Sequence, residues 1–166
     1  MDADAAAGNP EAVVRPGVRV VVVDDAERVL LFASTGDDGR RFWYPPGGGS
    51  EPGERIEETA RRELREETGL TDVVLDREVW RRHALVTWGG VTYDCRERWF
   101  LARVPAFEID TSGFTAEERS AIIDYRWWTL DELEETTDRL VPDELAKLLR
   151  GVIREQPPER SIDIGP

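Results

Sequence analysis

The run GGGSEPGERIEETARRELREETGL, residues 47–70, packs seven glutamates and four arginines into 24 positions. From Glu54 to Thr68 it reads as a helix, ended by Gly69 as a left-handed cap and followed by Leu70 at the place of the usual hydrophobic contact. At about 100° per residue and with Ile56 at zero, Ala60 falls near ~40° and Leu64 near ~80°, which defines the apolar face. Glu63 and Glu67 fall at roughly 340° and 20°, on that same face, and Glu66 at about 280°, on its edge. Glu58, Arg61, Arg62 and Arg65 lie on the outer face, where Glu58 and Arg62 are spaced for an i,i+4 pair.

An outer-face ion pair contributes only about 0.3–0.5 kcal/mol and needs no special explanation. Glu63 and Glu67 do need one. An ionised carboxylate buried without a partner costs several kcal/mol, so acids on an apolar face require cations or a wet cleft. Glu63, Glu66 and Glu67, at spacings of three and four, converge on a volume the size of one ion. Oxygen-only ligation by carboxylates suits a hard cation, Mg²⁺ or Mn²⁺, better than zinc. Ahead of the helix, Gly47, Gly48 and Gly49 are read as a loop without side chains, whose amides and carbonyls can face a metal or a phosphate.

The elements that must position this helix are mostly strands. VRVVVVDD (18–25) and RVLLFAS (28–34) read as β-branched or apolar strands, and RFWY (41–44) as a third, stopped by Pro45 and Pro46. Segments 73–88 and 91–104 flank Gly89-Gly90, a two-residue hairpin signal. YRWWTL (125–130) reads as a further strand, DELEETT (131–137) as a short helix and PDELAKLLRGVI (142–153) as a closing amphipathic helix. The expectation is an α/β protein, a mixed sheet with helices packed on it. One domain spans 17–154, between flexible tails at 1–16 and 155–166.

Composition limits the partners. A chain of 166 residues with a formal charge of −13 argues against a nucleic-acid backbone or an anionic membrane as the main partner, because both need a cationic footprint. No apolar run is long enough to span a bilayer, the N-terminal residues do not read as a signal peptide, and one cysteine forms no internal disulfide. Together these point to the cytoplasm. An acidic protein that acts on a polyanion needs a positive charge between them, and a divalent metal supplies it.

Gly48, Glu54, Arg62, Glu63, Leu64, Glu66, Glu67, Gly69 and Leu70 fill every defined position of G-x5-E-x7-R-E-U-x-E-E-x-G-U, with U aliphatic. In this the chain resembles the Nudix hydrolases. The resemblance implies an α/β/α sandwich and hydrolysis of a nucleoside diphosphate linked to another moiety, such as a nucleoside triphosphate, ADP-ribose or a nucleotide sugar. It further implies Glu63, Glu66 and Glu67 as metal ligands, the Gly47 carbonyl as another, Arg62 as the residue orienting a box glutamate, and Glu54 as an outer or water-mediated contact. A box glutamate such as Glu66 or Glu67, or one of Glu117 and Glu118 ahead of the last strand, would be the catalytic base. Gly48 and Gly49 would approach the substrate phosphates, and Trp88 at the hairpin tip is a candidate for stacking on a base. The partner would be a small nucleotide, with a homodimer compatible with the resemblance. The rival reading is a sensor that binds a nucleotide without cleaving it; the intact box favours the enzyme.

Overall fold

In this computed structural model, residues 11–166 are described. Among these residues, nine strands form one branched mixed sheet. Its central strands lie in the spatial order β3 (Arg41–Tyr44), β2 (Val29–Thr35), β1 (Val13–Val23), β6 (Val91–Arg103) and β5 (Arg77–Trp88). The long β1 pairs in parallel with β6 along its whole length, from Val13 opposite Tyr93 to Val23 opposite Arg103. β6 pairs antiparallel with β5 across the turn at Gly89-Gly90, where both glycines have positive φ, as a tight two-residue hairpin requires. On its other edge β1 meets β2 only at Val23–Val29, and β4 (Gly47–Gly49) takes that edge at Gly17–Arg19. β7 (Asp124–Trp128) pairs with β2, and β8 (Arg139–Leu140) with β3.

The valine run of β1 is buried on both faces, which is why it reads as continuous rather than alternating. Val18, Val20 and Val22 face α1 (Ile56–Thr68) and pack with Ala60, Leu64 and Phe100. Val21 and Val23 face the other way, onto α3 (Leu130–Glu135) and α4 (Leu145–Arg150), with Trp43, Trp80, Trp99 and Trp128 between. The result is the α/β/α layering expected. A short helix, α2 (Ala116–Ala121), leads into β7.

Four elements depart from the sequence reading. Gly47–Gly49 forms a strand rather than a loop, because the absent side chains let it press against β1: a Cβ on Gly47 would stand 2.0 Å from the Val18 carbonyl oxygen. Composition assigned residues 13–16 and 162–164 to tails. Val13–Pro16 instead opens β1, and β9 (Ile162–Ile164) pairs with Trp80–Arg82 of β5. Their hydrogen-bond partners lie more than sixty residues away, beyond what local composition registers. Residues 1–10 of the expected N-terminal tail lie outside the described residues. The closing helix is shorter than its pattern, α4 passing into a π-helical turn at Gly151–Glu155.

Candidate metal and active site

α1 begins where the Arg55 amide donates to the Glu58 carboxylate (2.9 Å) and ends at Gly69, whose φ of 76° only glycine adopts without strain. Glu58 is thereby occupied as a cap. The i,i+4 pair expected with Arg62 gives way to a different arrangement, in which Arg62 folds back over the strand–helix junction. Its Nε and Nη2 donate to the two oxygens of Glu54 (2.7 and 2.9 Å), Nη2 also to the Gly49 carbonyl (3.0 Å), and Nη1 to Glu63 (2.8 Å) and Glu66 (3.3 Å). Glu54 also accepts from the Glu51 amide and the Thr59 hydroxyl. The Arg62 guanidinium, with these other donors, pulls the Glu54 carboxyl down to about 2. Glu54 thus acts as the clamp that fixes Arg62, and Arg62 in turn holds Glu63, β4 and α1 in register.

The inner face behaves oppositely. Glu63 and Glu67 are buried, as their angular positions predict. Burial pushes both carboxyls above their ordinary range; Arg62 moderates the rise for Glu63, while Glu67, lying beside Glu63, is driven well up. One oxygen of Glu67 accepts from the Gly47 amide (2.8 Å), and a Cβ on Gly48 would stand 2.6 Å from the Glu63 carboxylate. Close approach of β4 to the two acids is therefore why both positions are glycine.

The third member of the cluster comes from outside the box. Carboxylate oxygens of Glu63, Glu67 and Glu118 lie within 4.8 Å of one another. Glu118 is delivered by α2, where Thr115 accepts from its amide (3.2 Å) and it accepts from the Thr115 amide (2.6 Å). Phe114, just ahead of that helix, packs edge-on to Phe32 and anchors it to the sheet. Glu117, its neighbour, is exposed. Glu66 stands at the edge of the group, half-buried against Arg62 rather than among the three convergent carboxylates.

Arg19 was not singled out in the sequence, although an arginine inside a valine run is a visible signal. It donates to Glu97 (3.1 Å) and to the carbonyls of Pro45 (3.3 Å) and Gly47 (3.2 Å), with its guanidinium over the Tyr44 ring. The Gly47 carbonyl, a candidate ligand, is thus oriented by Arg19. Trp88 is brought to a different place. In the strand register it lies opposite Val91, seven positions along β6 from Arg98, which is level with Val18 and Gly48; that is roughly 20 Å along the strand from the box. The hairpin length, invisible to residue type, removes it from the site of its own chain.

Three convergent carboxylates, two of them buried and strained toward protonation, fit a divalent cation: oxygen donors only, arranged around a volume one ion wide, with charge that a cation would relieve. A model of the NUDIX domain matches residues 13–150. The chain belongs to the Nudix hydrolase family. Nudix membership makes it a hydrolase of pyrophosphate bonds. It is 32% identical over 138 residues to an RNA pyrophosphohydrolase of Erythrobacter litoralis, covering 76% of this chain and 81% of that one. It is 28% identical to Nudix hydrolase 25 of Arabidopsis thaliana, covering 76% and 77%. Among solved structures, a MutT protein of Methanosarcina mazei superposes with a TM-score of 0.62 at 20% identity, covering 89% of this chain and 98% of that one. A Caenorhabditis elegans Ap4A hydrolase gives 0.58 at 19%, covering 83% and 94%. At those identities the Nudix fold is what is shared. No helix among the described residues is long and apolar enough to cross a membrane.

Proposed function

We propose that this Nudix hydrolase cleaves a phosphoanhydride bond at the terminal phosphates of an RNA, with Mg²⁺ or Mn²⁺ held by Glu63 and Glu67. The observation that carries the site is the convergence of Glu63, Glu67 and Glu118 beside the glycine strand. The substrate class is supported by relatives called RNA pyrophosphohydrolases that match at up to 32% identity over most of both chains. Internal linkages of RNA are phosphodiesters, so the pyrophosphate bond in such a substrate lies in its terminal phosphates. This refines the small-nucleotide expectation: nucleoside triphosphate, ADP-ribose and nucleotide sugars share the same anhydride, without the following chain.

The bound cation would screen the phosphate oxygens and lower the pKa of a water near phosphorus. Glu118, half-buried and on a separate element from the two inner glutamates, accepts the proton of the attacking water. A bond forms between that oxygen and phosphorus, and the bridging oxygen leaves with the departing phosphate. Arg62 moderates the rise of the Glu63 carboxyl and aims it; Arg19 and the Gly47 amide hold β4 and Glu67 in place. Gly48 and Gly49 leave room for the substrate phosphates.

The test is product analysis with Mg²⁺ or Mn²⁺ on a panel: RNA carrying a 5′-triphosphate, dNTPs, ADP-ribose, nucleotide sugars and dinucleoside polyphosphates. Fastest turnover of the RNA supports the reading. Turnover confined to the small nucleotides contradicts its substrate class, and binding without turnover marks the sensor.

A further inference from the structure

A cleft of about 840 Å³ opens on the β5–β6–β9 side of the sheet, lined by Arg81, Arg82, His83, Arg96 and Arg98. The acidic groups that meet these cations are each shared. Glu78 accepts from Arg81 and Arg98, Asp94 from Arg96 and beside His83, and Glu97 from Arg19 and Arg82. With Asp163 on the wall, the cleft's four guanidiniums meet four carboxylates, in a chain that has 22 basic and 35 acidic residues in all. The cleft is therefore locally balanced within a molecule that is strongly acidic. Arg96 and Arg98 meet their carboxylates through Nε and Nη2, so Nη1 of each lies outside those pairs, and both side chains are about half exposed. A carboxylate on one edge fixes the fork and leaves the other edge set for a phosphate. Arg82, which also lines the cleft, has a side chain only 10% exposed and an Nε buried without a partner.

The register ties the cleft to the catalytic end. Gly48, Val18, Arg98 and Arg81 occupy one row across β4, β1, β6 and β5, so their side-chain directions share one face. That is the face on which the Glu63 carboxylate lies over Gly48. Arg98 is two strands from Gly48, roughly 10 Å at the spacing of a sheet. The first few nucleotides behind a terminal phosphate cover that span.

We infer that this cleft binds the phosphodiester backbone of a polynucleotide substrate behind its terminal phosphates, so that chain length contributes to affinity. The inference rests on the RNA reading above. The polar lining is guanidinium, imidazole and the carboxylates of Glu97 and Asp163, without a platform of aromatic side chains, so binding is independent of base sequence and steep in salt.

The full chain with Mg²⁺ is titrated, by fluorescence anisotropy, with a 5′-monophosphate RNA of about 12 nucleotides and with a dinucleotide, from about 50 to 200 mM salt. KM is measured in parallel on the triphosphate forms. The expected wild-type result is at least about tenfold tighter binding of the longer RNA. Arg96→Ala/Arg98→Ala abolishes that preference and makes the plot of log affinity against log salt shallower by about 1.4, near 0.7 for each lost single-strand contact. Arg96→Lys/Arg98→Lys retains most of it. Arg81→Ala, which leaves Glu78 held by Arg98, gives about half the slope change and keeps the test open if the double variant misfolds. A wild type that turns over both RNAs with equal KM overturns the cleft and leaves the RNA reading standing. A folded alanine double variant with its length preference intact also overturns the cleft. A wild type that turns over neither RNA removes the reading and the cleft with it.

Discussion

Glu54 and Glu67 belong to the same 23-residue box and are shifted in opposite directions from the ordinary carboxylate range. Glu54 has its cation within the chain: Arg62 grips both its oxygens, and its carboxyl falls to about 2. Glu67 is buried beside another acid, with Arg19 and one amide as partial compensation, and its carboxyl is driven well above the ordinary range. The first is a finished structural interaction. The second is incomplete until something positive arrives from solution. A box that looks uniformly acidic is thus two regions, one that holds the site and one whose buried charge suits a cation.

The largest effect that separates them is expected from Glu67→Gln. Removing an outer contact of a metal ligand costs about 10–100-fold in affinity or activity, and loss of a ligand itself should exceed that upper figure in turnover. The same variant should melt higher than wild type in the absence of metal, because a buried carboxylate compensated only in part by Arg19 and the Gly47 amide has been removed. Steady-state kinetics and calorimetric melting check the two halves.

Glu54→Gln should do the reverse. It leaves Arg62 without its bidentate partner, so the metal-free Tm falls, while turnover drops by about 10–100-fold through misplacement of Glu63. Equal Tm changes in both variants would erase the distinction.

A smaller contrast lies within α2. Glu118→Gln should lower kcat by about 10²-fold or more, as for loss of a general base. Glu117→Gln, one position away and exposed, should remain within about twofold of wild type. Similar losses at both would mean that neither is placed as described.

The smallest expected effect is on pH-dependent stability. Glu63 and Glu67 have raised carboxyls when folded, so the native state binds more protons than the unfolded one above the ordinary carboxylate range. Their contribution is therefore fully present below about pH 4.5 and is lost as pH rises through the raised values. Metal-free protein should lose stability from mildly acidic to neutral pH, and Mg²⁺ should flatten that slope; Glu67→Gln should flatten it without metal. Melting curves across that range test the sign.

The box was legible because it is local. A 3.6-residue period places Glu63 and Glu67 on the face of Ala60 and Leu64 whatever surrounds them, and Gly69 marks the helix end. The valine run of β1 likewise announced a strand. What sequence could not place depended on pairing across the chain. Glu118 could be named as a candidate, but only the packing of Phe114 on Phe32 brings it to the inner glutamates. Gly47–Gly49 read as a loop because glycine lacks strand propensity, whereas the lack of a side chain is what lets it join β1. Trp88 had the chemistry of a base platform and the wrong distance. Arg19, Arg82 and Glu97 carried a signal, charged residues at strand positions that alternate with core, and it becomes interpretable once β1, β5 and β6 are adjacent.

Binding of Mn²⁺ to the full chain, followed by titration calorimetry at mildly acidic pH, tests the central claim most directly. Wild type should bind the ion and release protons as the raised carboxyls ionise, Glu54→Gln should bind more weakly, and Glu67→Gln should lose the event. Mn²⁺ binding by Glu67→Gln with wild-type affinity and proton release would contradict the assignment of the inner glutamates as the cation site.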